Sequence, residues 1–551
     1  MHLRIALAVT LAAAVCWSAV TSPESQALAA TPSVKGKVYA GYQGWFTAAG
    51  DGSPINNWTH WSRGSKPSPG NQTFEVYPDM RQYPANTKFQ TGYANLGNGQ
   101  PATLFSSFPA SVVDLHFSWM QRYGIDGAAL QRFTSDVSTP GSPRNNQRNS
   151  ITLKARDAAQ KYGRGLYIEY DLSGMTDNLA QAIKNDWTNT VKGSMHLPDS
   201  PAYARESGKP VVELWGFGVV GSSPNIGPSL DLVNWFKSQG TYVIGGVPRG
   251  WRTDSNTKPG FGPVYQAVNM ISPWNVGSAA VNNDLYVADR DALRKTGQDY
   301  QPVIFPGFAW SNWNGGARNL IPRKAGDFLW QQAGALRRNG IPQAFIAMFD
   351  EYDEGTAIAP LAEDSSMIPT NQYFLTASAD GTFLSSDFYL RLAGAATRMI
   401  NGTDPLTTKV PIPPTTGPVA FRTSFEPGLD AMPKNATTFD IASGTDHERG
   451  QSALHVQGSS EAFDVAIPVT ATTKLTYSLL AKDEASRDVT VNLVLTDGTT
   501  WRDTSSQGTV GTWTRIQSSV PLAGKTISKI VVAQPNAGGA NAFIDDIEIS
   551  N

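Results

Sequence analysis

Between residues 38 and 350 the chain repeats one pattern. A short apolar or β-branched run ends in aromatic, acidic or amide residues, and a segment with apolar residues at helical spacing follows. Such runs occupy 38–45, 125–133, 165–173, 210–218, 241–247, 268–276, 301–310 and 343–350. Helical candidates lie between them at 111–123, 151–162, 230–239 and 323–338, the last with Phe328, Leu329, Ala333 and Leu336 at helical intervals. Alternating strands and helices predict a parallel sheet. Eight repeats over this length fit an α/β chain of the TIM-barrel type, a (β/α)8 barrel with an insertion between its first two strands. A doubly wound open sheet is the competing arrangement, but no G-x-G-x-x-G follows a strand to support it.

The pattern changes after residue 402. Pro405, Pro411, Pro413, Pro414 and Pro418 stand among Thr and Gly, which predicts an extended, poorly packing linker over 403–420. Beyond it the runs 463–469, 475–480, 489–496, 512–518, 527–533 and 542–549 are strand-like, closely spaced and split by Gly, Asp or Pro turns. With no helical period between them, they predict a β-sandwich over 421–551. At the other end, His2 and Arg4 precede an apolar run over 5–20 and the small-residue site Ala27-Leu28-Ala29. This is the pattern of a signal peptide over 1–29. Its apolar run of about 15 residues is shorter than the roughly 20 that span a bilayer. The expectation is a secreted, extracellular protein with a barrel domain over 30–402, no membrane association after cleavage, and a monomeric state.

Composition narrows the function classes. With 551 residues the chain exceeds what one core usually serves. Its 44 Lys+Arg nearly balance 46 Asp+Glu, so it lacks the basic excess that sequence-independent nucleic-acid binding requires. Cys16, the single cysteine, falls in the signal segment, which rules out a disulfide framework, a cysteine zinc site and a thiol nucleophile in the mature chain. Aromatics at 10% against 16% charged residues suit a folded binder of sugars or other polar rings.

In a barrel of this kind the residues that close each strand are the catalytic candidates. The last run stops at Asp350-Glu351-Tyr352-Asp353-Glu354, where four carboxylates in five residues repel one another and should hold protons above the usual range. Glu351 and Glu354 share one face if the segment turns helically. Two carboxyl groups suffice for glycosidic cleavage, one as proton donor and one as nucleophile or base. The same spacing also suits a solvated acidic loop or an N-cap cluster. Glu169 and Asp171 close the third run, either on sugar hydroxyls, as an alternative acid, or as helix caps. Tyr42, Trp45, Phe133, Trp215, Phe217, Trp251, Trp274, Trp310 and Trp313 recur at strand ends beside Gln43, Gln131, Arg132, Arg249 and Asn312. Each alone is as readily a core residue, but together they point to a carbohydrate cleft. His60 and His116 have no second histidine at ligand spacing, so a zinc centre is rejected and catalysis is expected to need no cofactor.

A family resemblance rests on these motifs. The segment Phe349-Asp350-Glu351-Tyr352-Asp353-Glu354-Gly355-Thr356 resembles the Asn-Glu-Trp-His-Glu-Gly-Thr signature of glycoside hydrolase family 99, the endo-α-mannosidases. Tyr42-Gln43-Gly44-Trp45 followed by His60-Trp61, and Tyr203-Ala204-Arg205 with Gly208-Lys209-Pro210, resemble other stretches of that family in order. Tyr123-Gly124-Ile125-Asp126-Gly127 and Gln131-Arg132-Phe133 are similar to runs in bacterial family 71/99-like proteins labelled xylosidase/arabinosidase. The resemblance implies a retaining glycosidase in which the substrate's own 2-hydroxyl attacks the anomeric carbon. Glu351 is then the base assisting that hydroxyl, and Glu354 the general acid/base at the leaving oxygen. The family's Asn, Trp and His are Asp350, Tyr352 and Asp353 here, and a carboxylate in place of the imidazole should raise the proton affinity of both glutamates. The expected substrate contacts are Tyr42, Trp45, His60, Trp61, Gln131, Arg132, Glu169, Asp171, Trp215, Trp251, Trp274, Trp310, Asp350 and Asp353.

Phe421-Arg422-Thr423-Ser424-Phe425-Glu426 and Phe543-Ile544-Asp545-Asp546-Ile547-Glu548 resemble the paired terminal strands of jelly-roll carbohydrate-binding modules. That likeness implies a structural calcium at Glu426 and Asp546, with a plain sandwich as the alternative. Trp501, Trp513 and Tyr477 are sugar platforms or core residues. The expectation is a glycoside hydrolase whose substrate is a polysaccharide or glycan, since tethering a binder to a catalyst favours polymeric substrates. The rivals are a non-catalytic carbohydrate-binding protein and a polysaccharide lyase.

Overall fold

Each of the eight apolar runs forms a parallel strand: β1 (Val38–Tyr42), β2 (Gly127–Phe133), β3 (Gly165–Asp171), β4 (Lys209–Trp215), β5 (Tyr242–Pro248), β6 (Met270–Trp274), β7 (Asp299–Tyr300 continuing as Val303–Ile304) and β8 (Ala344–Ile346). The computed structural model describes residues 32–551 except 222–223, 282, 434–440, 444–446, 449, 457–460, 503, 505–506 and 534–540, so the predicted signal segment lies outside the described residues. Strands β1 to β6 pair in chain order, and β1 also pairs with β8 through Val38 and Ala344. The interrupted β7 closes the ring. Its first part pairs Asp299 with Met270 of β6, and its second part pairs Val303 with Phe345 of β8. The competing open sheet is thereby excluded.

Helices alternate with the strands and cover the outside. The helix Pro143–Tyr162 starts eight residues before the apolar period that predicts it at 151. Ser142 caps it by accepting from the Asn145 amide, Pro143 occupies its first turn, and Gly163 ends it at φ 60°. Its first turns bury Asn145, Gln147 and Arg148 rather than apolar side chains, which is why hydrophobic spacing misses them. Between β1 and β2 lies the expected insertion. Its buried rings Trp61 and Phe105 pack with Phe46 and with Tyr352 of the acidic loop, and Phe74 packs on Trp61.

The C-terminal region forms two antiparallel sheets. Val419–Thr423, Ile441–Ser443, Ser452–Val456, Lys474–Ala481, Thr514–Ser519 and Ala542–Ser550 make one; Glu461–Pro468, Thr490–Leu495, Thr500–Arg502 and Thr526–Ala533 make the other. A shared core of Phe421, Leu475, Tyr477, Leu493, Ile530 and Ile544 lies within the sandwich. The proline-rich stretch is extended but does not hang free. Arg391 Nη1 donates to the Pro413 carbonyl at 2.7 Å, Trp330 Nε1 to that of Thr407 at 3.1 Å, and Val410 and Ile412 pack on the barrel. Prolines lack an N–H but keep a carbonyl, and barrel donors use it.

Sandwich and barrel are bolted together by charge. Arg422 reaches Asp364 at 2.6 Å and Glu363 at 3.1 Å, while Arg81 reaches Glu363 at 2.6 Å. Asp430 accepts from the Ser365 amide at 2.8 Å and its hydroxyl at 2.9 Å.

Candidate active site

The acidic loop leaves β8 and is fastened to the end of β1. Gly44, at φ 58°, turns the chain so that the Gln43 and Gly44 amides donate to the two oxygens of Asp350 at 2.7 and 2.9 Å. Two charged or amide side chains of the helix Pro143–Tyr162 brace that turn. Gln147 Nε2 donates to the Gly44 carbonyl at 3.1 Å, and Arg148 donates to that of Gln43. Burial pushes Asp350 up to about 6, opposed by those two amides and by Arg148. Asp350 is fully buried and its oxygens are used, so it holds the loop rather than touching substrate. Asp350→Asn keeps the shape but turns an NH2 towards one of the two amides. An unsatisfied buried donor costs about 1–3 kcal/mol, so scanning calorimetry is expected to show a lower thermal midpoint.

Glu351 is gripped by three N–H donors. Its Oε1 accepts from the Asp353 and Glu354 amides at 2.9 and 3.3 Å, and its Oε2 from Gln43 Nε2 at 3.1 Å. Burial, and then the charge of Glu354, raise its proton affinity well above the usual carboxylate range, while the loop amides oppose the rise. Glu354 differs. Its half-buried carboxyl has no hydrogen-bond partner among the described residues, and burial followed by the charge of Asp171 pushes it up to about 7. Burial thus favours the protonated form of both glutamates, one positioned by N–H donors and one without a hydrogen-bond partner among the described residues.

Asp353 pairs with His60, Oδ2 to Nδ1 at 2.8 Å. Burial and the charges of Glu351 and Glu354 raise Asp353, whereas burial and then Arg148 and Arg144 lower His60 to about 3. Both shifts favour the uncharged forms, so the contact is a hydrogen bond rather than a strong ion pair. His60 stacks on Trp45 at 3.7 Å, and Trp45 also stacks on Phe133 at 5.2 Å. A pocket of about 180 Å3 opens beside these rings, walled also by Asp136, Arg144 and Arg148.

Deeper in the barrel, Gln131, Glu169 and Glu213 stand side by side on β2, β3 and β4. Gln131 Nε2 donates to Glu169 at 2.9 Å and the Tyr167 hydroxyl to Glu213 at 3.0 Å. Burial and the charge of Glu213 raise Glu169 well above the usual range, and burial raises Glu213 to about 7. Asp171, raised to about 6 by burial, is the charge that lifts Glu354. Removing it by Asp171→Asn takes away a repulsion that disfavours ionised Glu354, so Glu354 should lose its proton at lower pH. The alkaline limb of the rate profile is expected to lie at lower pH in this variant than in the intact protein, where burial and Asp171 push Glu354 up to about 7.

Several expected substrate contacts are corrected by burial. Tyr42 is fully buried with its hydroxyl on His116 Nδ1 at 3.0 Å, and Trp61 is fully buried with its ring N–H on the Phe105 carbonyl at 2.7 Å. Arg132 is also fully buried, bound to Asp186 at 2.5 Å, Thr152 at 3.0 Å and Asn149 at 2.8 Å. None of the three has a surface to offer a sugar. Trp215 and Trp274 meet edge to face at 5.1 Å where β4 and β6 end, both half-buried. Trp310 follows β7 and packs on Phe308 at 5.2 Å. Trp251 instead opens on a separate pocket of about 200 Å3 with Tyr265 and Gln298.

One positioning residue escapes the strand-end reading. Glu75, in the insertion, is fully buried; its carboxylate accepts from the Ser311 hydroxyl at 2.6 Å and the Asn312 amide at 2.9 Å. Its backbone N–H donates to the Tyr352 carbonyl at 2.9 Å, and Ala309 donates to that of Glu354 at 3.0 Å. Glu75 thus ties the loop after β7 to the acidic loop. A carboxylate inside the apolar stretch Phe74-Glu75-Val76-Tyr77 is the signal that marks it.

In the sandwich, Tyr477 is fully buried and is a core residue rather than a sugar platform; Trp501 and Trp513 are half-buried. Asp546 accepts from the Ser424 hydroxyl at 2.6 Å and faces Arg515 at 3.7 Å, while Glu426 Oε1 takes the Gln451 and Ser452 amides at 2.6 and 2.9 Å. A guanidinium beside one carboxylate and amide donors on the other are the surroundings of a charge already met, so this pair does not fit a shared calcium.

No family model matches the chain, and no curated protein matches it. Among solved structures it is similar to the GH99 endo-alpha-mannosidase from Bacteroides thetaiotaomicron, with 14% identity, 67% of this chain and 99% of that one covered, and a TM-score of 0.49. A glycoside hydrolase-like protein matches at 14% identity over 60% of this chain and 95% of its own, with a TM-score of 0.38. The CBM22-1 xylan-binding domain of Xyn10C from Paenibacillus barcinonensis matches 24% of this chain and 94% of its own at 14% identity and a TM-score of 0.18.

Proposed function

We propose that the protein is a glycoside hydrolase acting on a polysaccharide or glycan outside the cell, with Glu354 as general acid/base and Glu351 as its partner carboxylate. The observation that carries this reading is the contrast between the two: Glu351 is held by three N–H donors, whereas Glu354 has no hydrogen-bond partner among the described residues, and burial favours its protonated form. A carboxyl free to deliver a proton beside a second, oriented carboxyl group is the pair that cleavage of an acetal requires. Amide donors orient Glu351, and Glu354, the carboxyl with no hydrogen-bond partner among the described residues, is the one free to face the leaving oxygen. In the finer reading Glu351 assists the substrate's 2-hydroxyl at an α-linkage and the anomeric configuration is retained; the motif resemblance supports it.

Incubating the purified protein with a panel of α- and β-linked polysaccharides and weighing the products is the direct test. At least one glycan is expected to yield fragments heavier by one water per cleavage. Products that instead absorb in the ultraviolet as unsaturated uronates would establish a lyase, and binding without any product would establish a non-catalytic binder.

A further inference from the structure

A cavity of about 630 Å3 lies where the sandwich meets the barrel. Arg318, Gln372 and Tyr373 wall it from the barrel side, and Glu426, Gln451 and Ser452 from the sandwich side. We propose that it is an accessory binding site for a neutral polysaccharide chain whose other end occupies the candidate catalytic cleft. The cleft assignment rests on the glycosidase reading above; the binding site itself does not.

Four features support it. The volume falls in the range of ligand sites, about 300–1,000 Å3. Donors line it: the exposed Arg318 guanidinium lies over the Tyr373 ring at 4.0 Å. A guanidinium carries several N–H donors in one plane, a geometry suited to adjacent hydroxyls, and the side-chain amides of Gln372 and Gln451 add both donors and acceptors. The two walls are also locked in register. Besides the Arg422 and Asp430 contacts, the Thr376 hydroxyl donates to the Leu429 carbonyl at 2.5 Å, and Glu426 fixes the Gln451 and Ser452 amides. A site whose walls are already fixed loses little freedom on binding.

The last feature is continuity with the candidate cleft. Asn312 Nδ2 donates to the Tyr373 carbonyl at 3.1 Å, and Gln372 Nε2 donates to Asn312 Oδ1 at 3.3 Å. Asn312 is three residues beyond Ala309, which bonds the Glu354 carbonyl, so at most about 11 Å of backbone separates the two. Trp313, an aromatic left 42% exposed, lies on the same short segment. The segment that bonds Glu354 through Ala309 thus also bonds the Gln372–Tyr373 wall through Asn312, and Trp313 and Arg318 follow on the same segment.

Native gel electrophoresis tests this with full-length Glu354→Gln protein in gels containing soluble α-mannan, xylan, β-glucan or polygalacturonate. At least one neutral polymer is expected to retard the protein. Arg318→Ala and Gln451→Ala, one on each wall, should each weaken that retardation about tenfold. In the catalytically intact background the same two changes should raise KM for long chains and leave turnover of a short aryl glycoside unchanged. Retardation by no polymer, retardation insensitive to both changes, or retardation by polygalacturonate alone would overturn the proposal. Binding that weakens as described, in a protein that releases no product, would keep this site and reject the hydrolase reading.

Discussion

Glu354→Gln is expected to lower kcat on the responsive polysaccharide by about 10²–10⁴-fold, the usual contribution of a positioned general acid, while leaving the fold intact. The side chain of Glu354 makes no hydrogen bond among the described residues, so an amide of the same shape breaks no side-chain contact. Its backbone duties survive, since the amide to Glu351 and the carbonyl accepting from Ala309 do not depend on the side chain. Only the exchangeable proton is lost. KM should change little, because that proton matters most once the leaving oxygen gathers charge. The limb of the rate profile near pH 7 should vanish with the group that titrates there. An unchanged thermal midpoint together with the kinetic loss checks both halves of the expectation.

Glu351→Gln is expected to cost a similar factor in kcat, about 10²–10⁴-fold, and to cost stability as well. Three N–H groups converge on the two oxygens of Glu351, and an amide offers one oxygen where there were two. At least one buried donor then faces an NH2, a penalty of about 1–3 kcal/mol. Removing the charge at 351 also lifts a repulsion from Asp353, whose proton affinity should fall. The two glutamates are thereby distinguishable: the change at 351 lowers both turnover and thermal midpoint, the change at 354 turnover alone. Kinetics on the responsive glycan and calorimetry on the same preparations read the difference.

The barrel was legible because buried parallel strands are nearly continuous apolar runs, and all eight appear where those runs stand. Polar braces were not. The first turns of Pro143–Tyr162 bury Asn145, Gln147 and Arg148 to hold the β1 turn, so hydrophobic spacing places that helix's start too late. The acidic segment 350–354 stands out as a charge cluster, but the sequence does not separate its members by task. Asp350 fastens the loop to β1, Asp353 meets His60, and the Glu354 carboxyl has no hydrogen-bond partner among the described residues. Tyr42, Trp61 and Arg132 occupy strand ends and loops that read as cleft, yet each is spent inside the core, Tyr42 on His116, Trp61 on Phe105 and Arg132 on Asp186, Thr152 and Asn149, partners far from it in sequence. Glu75 was hidden for the opposite reason, as a functional support far from any strand end.

The central claim, that Glu354 delivers the proton to the leaving oxygen, is tested most directly by leaving-group dependence. Intact protein and Glu354→Gln are compared on the responsive polysaccharide and on a dinitrophenyl glycoside of the same sugar, whose leaving group needs no proton. Cleavage of the polysaccharide by the variant should fall by about 10²–10⁴-fold, while release of dinitrophenolate in the first turnover stays close to that of the intact protein. Equal losses on both substrates, or no loss on the polysaccharide, would contradict the account.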